Sequence, residues 1–103
     1  MIWGSALAGV DAASGVLVDD TVYGQTKQAL EMISEMLDTS NSGLDQVVSV
    51  TVFMKDIRGF ADLNRAYVEA FGSHQPTRSV VEVTNLPKPG ALLTMNFVAV
   101  TRD

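Results

Sequence analysis

The chain has 103 residues and a net charge of −5, with seven basic and twelve acidic residues. This length predicts one domain, spanning residues 1–103, with a modest core, and domains of this size are often completed by oligomerisation. Apolar residues make up 47% of the chain, which favours a folded domain over a disordered one. Cysteine is absent, which excludes disulfides, thiolate metal sites and a cysteine nucleophile and fits a reducing compartment.

The charge and hydropathy patterns exclude several further classes. Binding to nucleic acid through phosphates needs a clustered positive surface, and the basic residues of this chain are scattered. No apolar run approaches the length of a membrane span, so no membrane partner is expected. The single histidine, His74, excludes a two-histidine site within one subunit, and we interpret it as a loop residue. No signal peptide is visible, so we expect a cytoplasmic protein, or a mitochondrial one if the native chain carries an amino-terminal extension.

The first half of the chain predicts a strand and a helix. Residues 2–8 are apolar and favour a strand, residues 11–15 have turn chemistry, and residues 16–18 are expected to form a short return strand. The segment Asp19-Asp20-Thr21 predicts a cap and an acidic first turn for a helix that ends near Leu37. Apolar residues recur there at helical spacing: Val22, Ala29, Ile33, Met36 and Leu37, with Leu30 and Met32 beside them.

The second half predicts three strands and another helix. The β-branched run at 47–54 favours a strand, and a helix is expected over 60–71, with Gly59 as its N-cap and Gly72 just past its end. A strand begins near Arg78 and reaches 83, and a last strand runs from 91 to about 101. The sequence therefore predicts one α+β domain of about four strands and two helices.

The strands alternate between an apolar face and a mixed face. The apolar faces hold Val48, Val50, Val52 and Met54 in one strand and Leu93, Met95, Phe97 and Ala99 in the last. Two helices can cover these faces, and the valine and phenylalanine content of the mixed faces argues against bare solvent. We therefore predict a homo-oligomer whose contact lies near the mixed faces and includes Arg78, Glu82, Thr94 and Asn96.

Arg78 is the main candidate for a binding residue. It follows Pro76 and enters an otherwise apolar strand, and its guanidinium is a planar fork of donors suited to a carboxylate or a phosphate. The pattern alone leaves two other interpretations open. Arg78 can be a solvated edge charge, or an ion-pair partner that only fixes the assembly.

The order of these motifs resembles the reactive intermediate deaminase family (RidA, YjgF-like), formerly grouped as L-PSP endoribonucleases. The resemblance covers nearly the whole chain. The matching segments are Val10-Asp11 through Gly15, Gln25-Thr26-Lys27-Gln28-Ala29-Leu30, Leu44-Asp45 with Val47 through Phe53, Phe60-Ala61-Asp62-Leu63-Asn64 through Tyr67, Phe71-Gly72, Pro76-Thr77-Arg78-Ser79 and Leu86-Pro87.

The resemblance implies a fold and an activity. The fold is chorismate-mutase-like (bacillus type), a mixed sheet with two helices on one face. Three chains would form a homotrimer in which the sheets line a central barrel and three clefts lie between subunits. The activity is hydrolysis of reactive enamines and imines, such as 2-aminoacrylate, to 2-keto acids and ammonia. The implied substrate is a small carboxylate or 2-imino acid, and no metal or organic cofactor is required.

The resemblance also implies roles for particular residues. Arg78 matches the arginine that holds the substrate carboxylate, and Asn64 matches a residue near the cleft. Asn96 stands where deaminating members carry a glutamate that positions the water, and an amide can hold water but cannot act as a general base. Glu82, which shares a face with Arg78, is an alternative to that glutamate.

The amino-terminal segment departs from the family pattern in two places. Ser5 and Ala6 stand at the family's Ser-Gly pair, where a backbone N–H contributes to carboxylate binding, and alanine retains that N–H. The family's usual first strand, which bears a tyrosine near the cleft, is expected to have no counterpart in this sequence. Loss of an edge strand exposes unpaired backbone on its neighbour.

Three functions fit these observations. The first is an enamine or imine deaminase with Arg78 as the carboxylate clamp. The second is a non-catalytic member that binds small carboxylates or acts through protein contacts, and Asn96 is its main support. The third is an endoribonuclease or translation inhibitor, which the acidity, the scattered basic residues and the single histidine oppose.

Overall fold

The computed structural model describes residues 1–11 and 13–102, and for Ala6 it describes the backbone alone. Two helices and four strands follow in the order β1 (Ile2–Leu7), α1 (Val22–Asp38), β2 (Val47–Met54), α2 (Phe60–Phe71), β3 (Thr77–Glu82) and β4 (Leu93–Ala99). One-turn 3-10 helices, Leu44–Gln46 and Ile57–Gly59, precede β2 and α2. The predicted α+β class is confirmed. Neither helix in the described part of the chain is long and apolar enough to cross a bilayer.

The four strands form one mixed sheet in the order β1-β4-β2-β3. β2 pairs antiparallel with β4 and parallel with β3, while β1 pairs antiparallel with β4. The parallel pair requires a crossover, and α2 supplies it. β3 and β1 are therefore the two edge strands, separated by the full width of the sheet.

Helix α1 begins and packs as its sequence dictates, with two corrections. The Thr21 hydroxyl caps it by accepting a hydrogen bond from the Gly24 N–H at 3.0 Å. The predicted acidic first turn is wrong, because Asp19 and Asp20 precede the cap; Asp19 instead accepts from the Thr21 N–H at 2.7 Å. Met36 was predicted to face the core, but it is 43% exposed. The buried apolar residues of α1 are Ala29, Leu30, Ile33 and Leu37.

A buried glutamine ties α1 to the loop before β4. Gln25 is fully buried, and its amide nitrogen donates to the Asp19 carbonyl at 3.0 Å and to the Gly90 carbonyl at 3.2 Å. Its amide oxygen accepts from the Leu92 N–H at 2.8 Å. Three backbone groups of two loops are thus satisfied by one side chain, which fixes where β4 begins.

The two helices cover one face of the sheet, and the alternation in β2 and β4 predicted most of that core. In β4 the predicted apolar face is buried throughout. In β2, Val50, Val52 and Met54 are buried, but Val48 is 44% exposed and Val47 is buried instead. The register with β4 shifts between Val47 and Ser49, which is a β-bulge, so the alternation of buried and exposed residues along β2 reverses there.

The predicted return strand at residues 16–18 is wrong. Leu17 forms only an isolated antiparallel bridge with Val10, and no strand continues from it. The turn between them closes through hydrogen bonds from the Asp11 N–H to the Val16 carbonyl and from the Gly15 N–H to the Asp11 carbonyl. Gly15 has φ +72°, which favours glycine, and Ala12 lies outside the described residues.

Candidate functional site

Arg78 lies on the helix-covered face of the sheet, at its β3 edge. In the parallel ladder Arg78 pairs with Val50 and Val80 pairs with Val52, and paired residues project to the same face. Val50 and Val52 are buried under the helices, and Val80 packs against that core. The prediction that Arg78 and Glu82 share the uncovered face with Asn96 is therefore wrong.

The physical reason is that β3 contains too few apolar residues for alternation to determine which of its faces is buried. Its sequence offers Val80 on one side and Val81 on the other, so alternation alone is balanced. The parallel register with β2 places Val80 over the core and leaves Val81 44% exposed. Arg78 and Glu82, which flank Val80 on its face, are then directed toward α2 and the loop before it.

One stripe of α2 holds the Arg78 side chain. Nη1 of Arg78 donates a hydrogen bond to Oδ1 of Asn64 at 3.0 Å. The guanidinium carbon lies 4.6 Å from the Tyr67 ring centroid and 5.3 Å from the Phe60 ring centroid. Residues 60, 64 and 67 are spaced four and three apart, so they fall on one side of the helix. Arg78 is thus held by an amide oxygen and two aromatic rings.

The protein leaves the charge of Arg78 without a carboxylate partner in the described part of the chain. Each of the other three arginines has one within 4 Å, in the pairs Arg58–Asp56, Arg65–Asp62 and Arg102–Asp45. Tyr67 does not supply a negative charge either, because burial raises the pKa of its hydroxyl and the opposing effect of Arg78 is smaller. A half-buried cation held only by neutral groups suits an anionic ligand.

A second polar group lies on the uncovered face of the sheet. Ser5 and Asn96 line one hollow of about 500 Å³ there, and its other lining residues are Trp3, Gly4, Ser49, Thr51, Phe97 and Val98. Asn96 pairs with Thr51, and these two residues are next in sequence to the buried pair of Phe97 and Val50. Because successive residues of a strand project to opposite faces, Asn96 and Thr51 project to the uncovered face. Ala6 lies beside Ser5 in β1, where the register with β4 shifts between Gly4 and Leu7.

The predicted site residues therefore form two groups. The structure brings Arg78 together with Asn64, and it brings Ser5 together with Asn96. The two groups lie on opposite faces of the sheet, and β2 separates the strands of Arg78 and Asn96. A single subunit does not bring them into contact.

Glu82 and His74 are used within the fold. Oε1 of Glu82 accepts a hydrogen bond from the Ile57 N–H at 2.8 Å, and Glu82 stands four strand residues, about 13 Å, from Arg78. Nε2 of His74 lies 2.8 Å from the Val47 carbonyl oxygen, in the loop where it was predicted. Among the described residues, no three histidine or carboxylate side chains are grouped to hold a metal ion.

The sequence reasoning missed Phe60 and Tyr67 as neighbours of Arg78. Tyr67 is one of the buried residues of α2 and is 2% exposed. The signal that could have found both is the spacing aromatic-x3-Asn-x2-aromatic on the helix that immediately precedes the Arg78 strand. That spacing offers two rings and an amide to one neighbouring side chain.

Comparison with known proteins gives a consistent family. The family model described as Endoribonuclease L-PSP matches residues 2–101. The chain is 39% identical over 90 residues to a RutC family protein of Pyrococcus abyssi, covering 87% of this chain and 70% of that protein. It is also 39% identical over 89 residues to the 2-iminobutanoate/2-iminopropanoate deaminase of Capra hircus, covering 86% and 65%.

A solved structure agrees with the sequence comparison. The crystal structure of YEO7 from yeast superposes with a TM-score of 0.90 at 35% identity, over 97% of this chain and 78% of that one. The chain spans about two thirds of the length of the two relatives compared by sequence.

Proposed function

This chain belongs to the Endoribonuclease L-PSP family, which includes the YjgF-like and Rid proteins, and on that premise we propose that it hydrolyses small 2-imino acids to 2-keto acids and ammonia. The observation that carries the proposal is the unneutralised Arg78 guanidinium, held by neutral groups of α2. The relative named 2-iminobutanoate/2-iminopropanoate deaminase supports the substrate class.

In the proposed reaction Arg78 binds the substrate carboxylate through the guanidinium N–H groups that Asn64 does not occupy. Water adds to the imine carbon, and a water proton passes to the imine nitrogen. The hydroxyl proton of the resulting carbinolamine then passes to its nitrogen, the carbon–nitrogen bond breaks, and ammonia leaves as the carbonyl of the keto acid forms. Because such imines are reactive toward water, orientation of the two partners supplies most of the acceleration.

We assign the orientation of the water to Asn96, aided by Ser5. A carboxamide can both donate to and accept from one water molecule, although it cannot act as a base. Both residues line the same hollow on the uncovered face. The backbone N–H groups around Ser5 and Ala6, at the bulged part of β1, are proposed to contribute to binding of the substrate carboxylate together with Arg78.

The proposed site requires more than one chain, and we propose a homotrimer. Within a subunit Arg78 and Asn96 lie on opposite faces of the sheet, so a cleft containing both is built from the Arg78 face of one chain and the Asn96 face of the next. A head-to-tail contact closes into a ring when its rotation is a whole fraction of a turn, and the proposal is a rotation of one third of a turn. Trp3, which is 74% exposed beside Asn96 in the hollow, is the apolar anchor of that contact.

A second candidate function is binding of small carboxylates without turnover. It is favoured by the lining of the hollow, which contains no aspartate, glutamate or histidine among the described residues. Nuclease activity has less support, because Arg58, Arg65 and Arg102 are each paired with a carboxylate. Those pairs reduce the positive field that RNA binding needs.

The first experiment measures keto-acid release from freshly generated 2-aminoacrylate. The comparison includes the Arg78→Ala variant and, as a matched control, Arg65→Ala, which removes a surface arginine paired with Asp62. Loss of a charge-assisted contact is expected to lower kcat/KM by roughly 10- to 100-fold in Arg78→Ala and to leave Arg65→Ala unchanged. Keto-acid release at the spontaneous rate, from chains that still bind pyruvate, would favour the non-catalytic function.

We propose the cytoplasm as the compartment of this activity. The support is the absence of cysteine, which fits a reducing compartment. Imaging of the full-length gene product with a carboxyl-terminal fluorescent tag tests this, and localisation to mitochondria would contradict it.

A further inference from the structure

We propose that Tyr67 and Phe60 are positioning residues that hold the Arg78 guanidinium in the orientation that receives a carboxylate. This inference rests on the proposed function, because it assigns a purpose to the neighbours of the proposed clamp. The guanidinium carbon lies 4.6 Å from the Tyr67 centroid and 5.3 Å from that of Phe60, within the range of a cation–π contact.

Aromatic rings suit this purpose better than carboxylates. A carboxylate beside Arg78 would occupy its paired donors and neutralise its charge, as happens to Arg102 beside Asp45. A ring attracts the cation through its face and takes no N–H donor in the guanidinium plane. Asn64 accepts one hydrogen bond, so most of the donor fork stays available.

Holding the side chain in advance also lowers the entropy that binding must remove. Arginine has a long side chain with many rotamers, and a free one loses that freedom only when the ligand arrives. Arg78 is instead restrained before the ligand arrives. Its Nη1 is hydrogen-bonded to Asn64, and the rings of Phe60 and Tyr67 restrict the position of its guanidinium group. The ligand then meets an oriented group.

Tyr67 acts through its ring, and its hydroxyl is not needed for this role. The residue is 2% exposed, and its hydroxyl has no hydrogen-bond partner among the residues that the structure describes. Replacement by phenylalanine therefore keeps the ring face and removes only an unpaired group. Phe60 is 40% exposed, so it lies at the solvent boundary of the same stripe.

The experiment compares Tyr67→Phe, Tyr67→Leu and Phe60→Leu with the wild type and with Phe71→Leu. Phe71 is the matched control: it is a buried aromatic residue of α2 whose ring lies 4.6 Å from that of Tyr67. The first readout is the NMR exchange rate of the Arg78 Nη groups, which reports rotation of the guanidinium. The second is the dissociation constant for pyruvate.

We expect slow guanidinium rotation in the wild type, Tyr67→Phe and Phe71→Leu, and faster rotation in Tyr67→Leu and Phe60→Leu. Pyruvate affinity is expected to fall by roughly 3- to 10-fold in Tyr67→Leu, and to stay within about 2-fold in Tyr67→Phe. A purely structural role would give Tyr67→Leu and Phe71→Leu the same rotation rate and the same affinity.

The two readouts separate the inference from the function on which it rests. If rotation in the wild type is as fast as that of free arginine in solution, or if Tyr67→Leu matches Phe71→Leu in both readouts, the positioning role is overturned. If rotation depends on Tyr67 as expected but the wild type does not bind pyruvate, the positioning role stands and the proposed function fails.

Discussion

The guanidinium of Arg78 and the carboxamide of Asn96 project from opposite faces of one sheet, in strands that are separated by β2. Two strand spacings place the backbones of β3 and β4 about 10 Å apart, before the thickness of the sheet is added. No ligand the size of a three-carbon imino acid spans that path within a subunit. The proposed reaction therefore depends on contacts between chains.

Complementation between two impaired variants tests this dependence. Arg78→Ala and Asn96→Ala chains are each expected to form trimers that lack every complete cleft. In a mixed trimer, one cleft combines the intact Asn96 of one chain with the intact Arg78 of its neighbour. Random assembly makes about three quarters of the trimers mixed, each with one complete cleft of three, so about a quarter of the wild-type activity is expected to return.

The measurement is keto-acid release after co-expression of the two variants, with separately purified variants mixed just before the assay as the control. Recovery only after co-expression supports a site shared between chains. Equal inactivity in both samples, with mixed trimers shown by mass spectrometry, would contradict a shared site.

A negative charge placed beside Arg78 tests whether ligand binding needs a guanidinium without a carboxylate partner. Asn64→Asp keeps the size of the side chain and turns the acceptor of the Arg78 hydrogen bond into a carboxylate. The new ion pair should occupy Arg78, so pyruvate affinity is expected to fall by at least roughly 10-fold while the melting temperature stays equal or rises. Asn64→Ser is the matched neutral variant, and a loss as large as that in Asn64→Asp would argue against competition by charge.

The sequence predicted the sheet and the helices because most of their residues obey one period each. β4 alternates cleanly, and α1 repeats its apolar positions, so their buried faces followed from pattern. The exposure of Val48 was not predicted, because a β-bulge reverses the alternation of buried and exposed residues in β2. The amino-acid composition of a strand does not reveal such a bulge. Met36 lay at the border of the apolar stripe, where packing against a neighbour decides exposure.

The site was harder to predict, since its arrangement depends on which way an edge strand faces. Arg78 was identified as the candidate clamp, yet its face is set by register with β2, and register is a long-range property. The contact of Arg78 with Tyr67 joins residues eleven positions apart across a turn. Local patterns suggest that both residues are important, but only the fold brings them together.

The buried amide of Gln25 is expected to contribute strongly to stability. Gln25→Leu removes the partner of three backbone groups at once and places an apolar side chain among them, so the free energy of unfolding should fall by about 2–4 kcal/mol. Gln28→Leu, which removes one hydrogen bond to the Val10 carbonyl at 2.9 Å, is the milder control. Urea unfolding of both variants measures the difference, and equal losses would contradict the role assigned to Gln25.

Alanine substitutions at Gly9 and Gly24 are expected to differ in their cost to stability, because the added Cβ meets backbone at Gly9 and a side chain at Gly24. A Cβ at Gly9 would lie 2.4 Å from the Gln25 carbonyl oxygen, so Gly9→Ala requires backbone to move and should cost about 2 kcal/mol or more. The nearest atoms to a Cβ at Gly24 are those of the Asp19 carboxylate, a side chain that can rotate away at the cost of its hydrogen bonds from Thr21. Alanine also favours the helix there, so Gly24→Ala should stay within about 1 kcal/mol of the wild type by thermal unfolding. The reverse order would contradict this packing.

Asp56 is expected to retain its charge at unusually low pH. Its carboxylate accepts from the Arg58 backbone N–H at 3.0 Å and from the Arg58 guanidinium at 2.6 Å, and these bonds lower the pKa of Asp56 to about 2. A lowered folded pKa stabilises the protein above the unfolded value near 4, and this stabilisation is lost as the pH falls toward 2. Above about pH 4 the variant Arg58→Gln should therefore be less stable than the wild type, and this difference should shrink as the pH falls toward 2.

Carboxyl carbon NMR of Asp56 measures this directly in the folded chain. At pH 3 we expect an ionised Asp56 in the wild type and a partly protonated one in Arg58→Gln, because the variant keeps only the backbone donor. Added salt should raise the wild-type midpoint, since the pair is exposed to solvent and its attraction is screened. The same midpoint in both proteins would show that the Arg58 side chain does not set the pKa of Asp56.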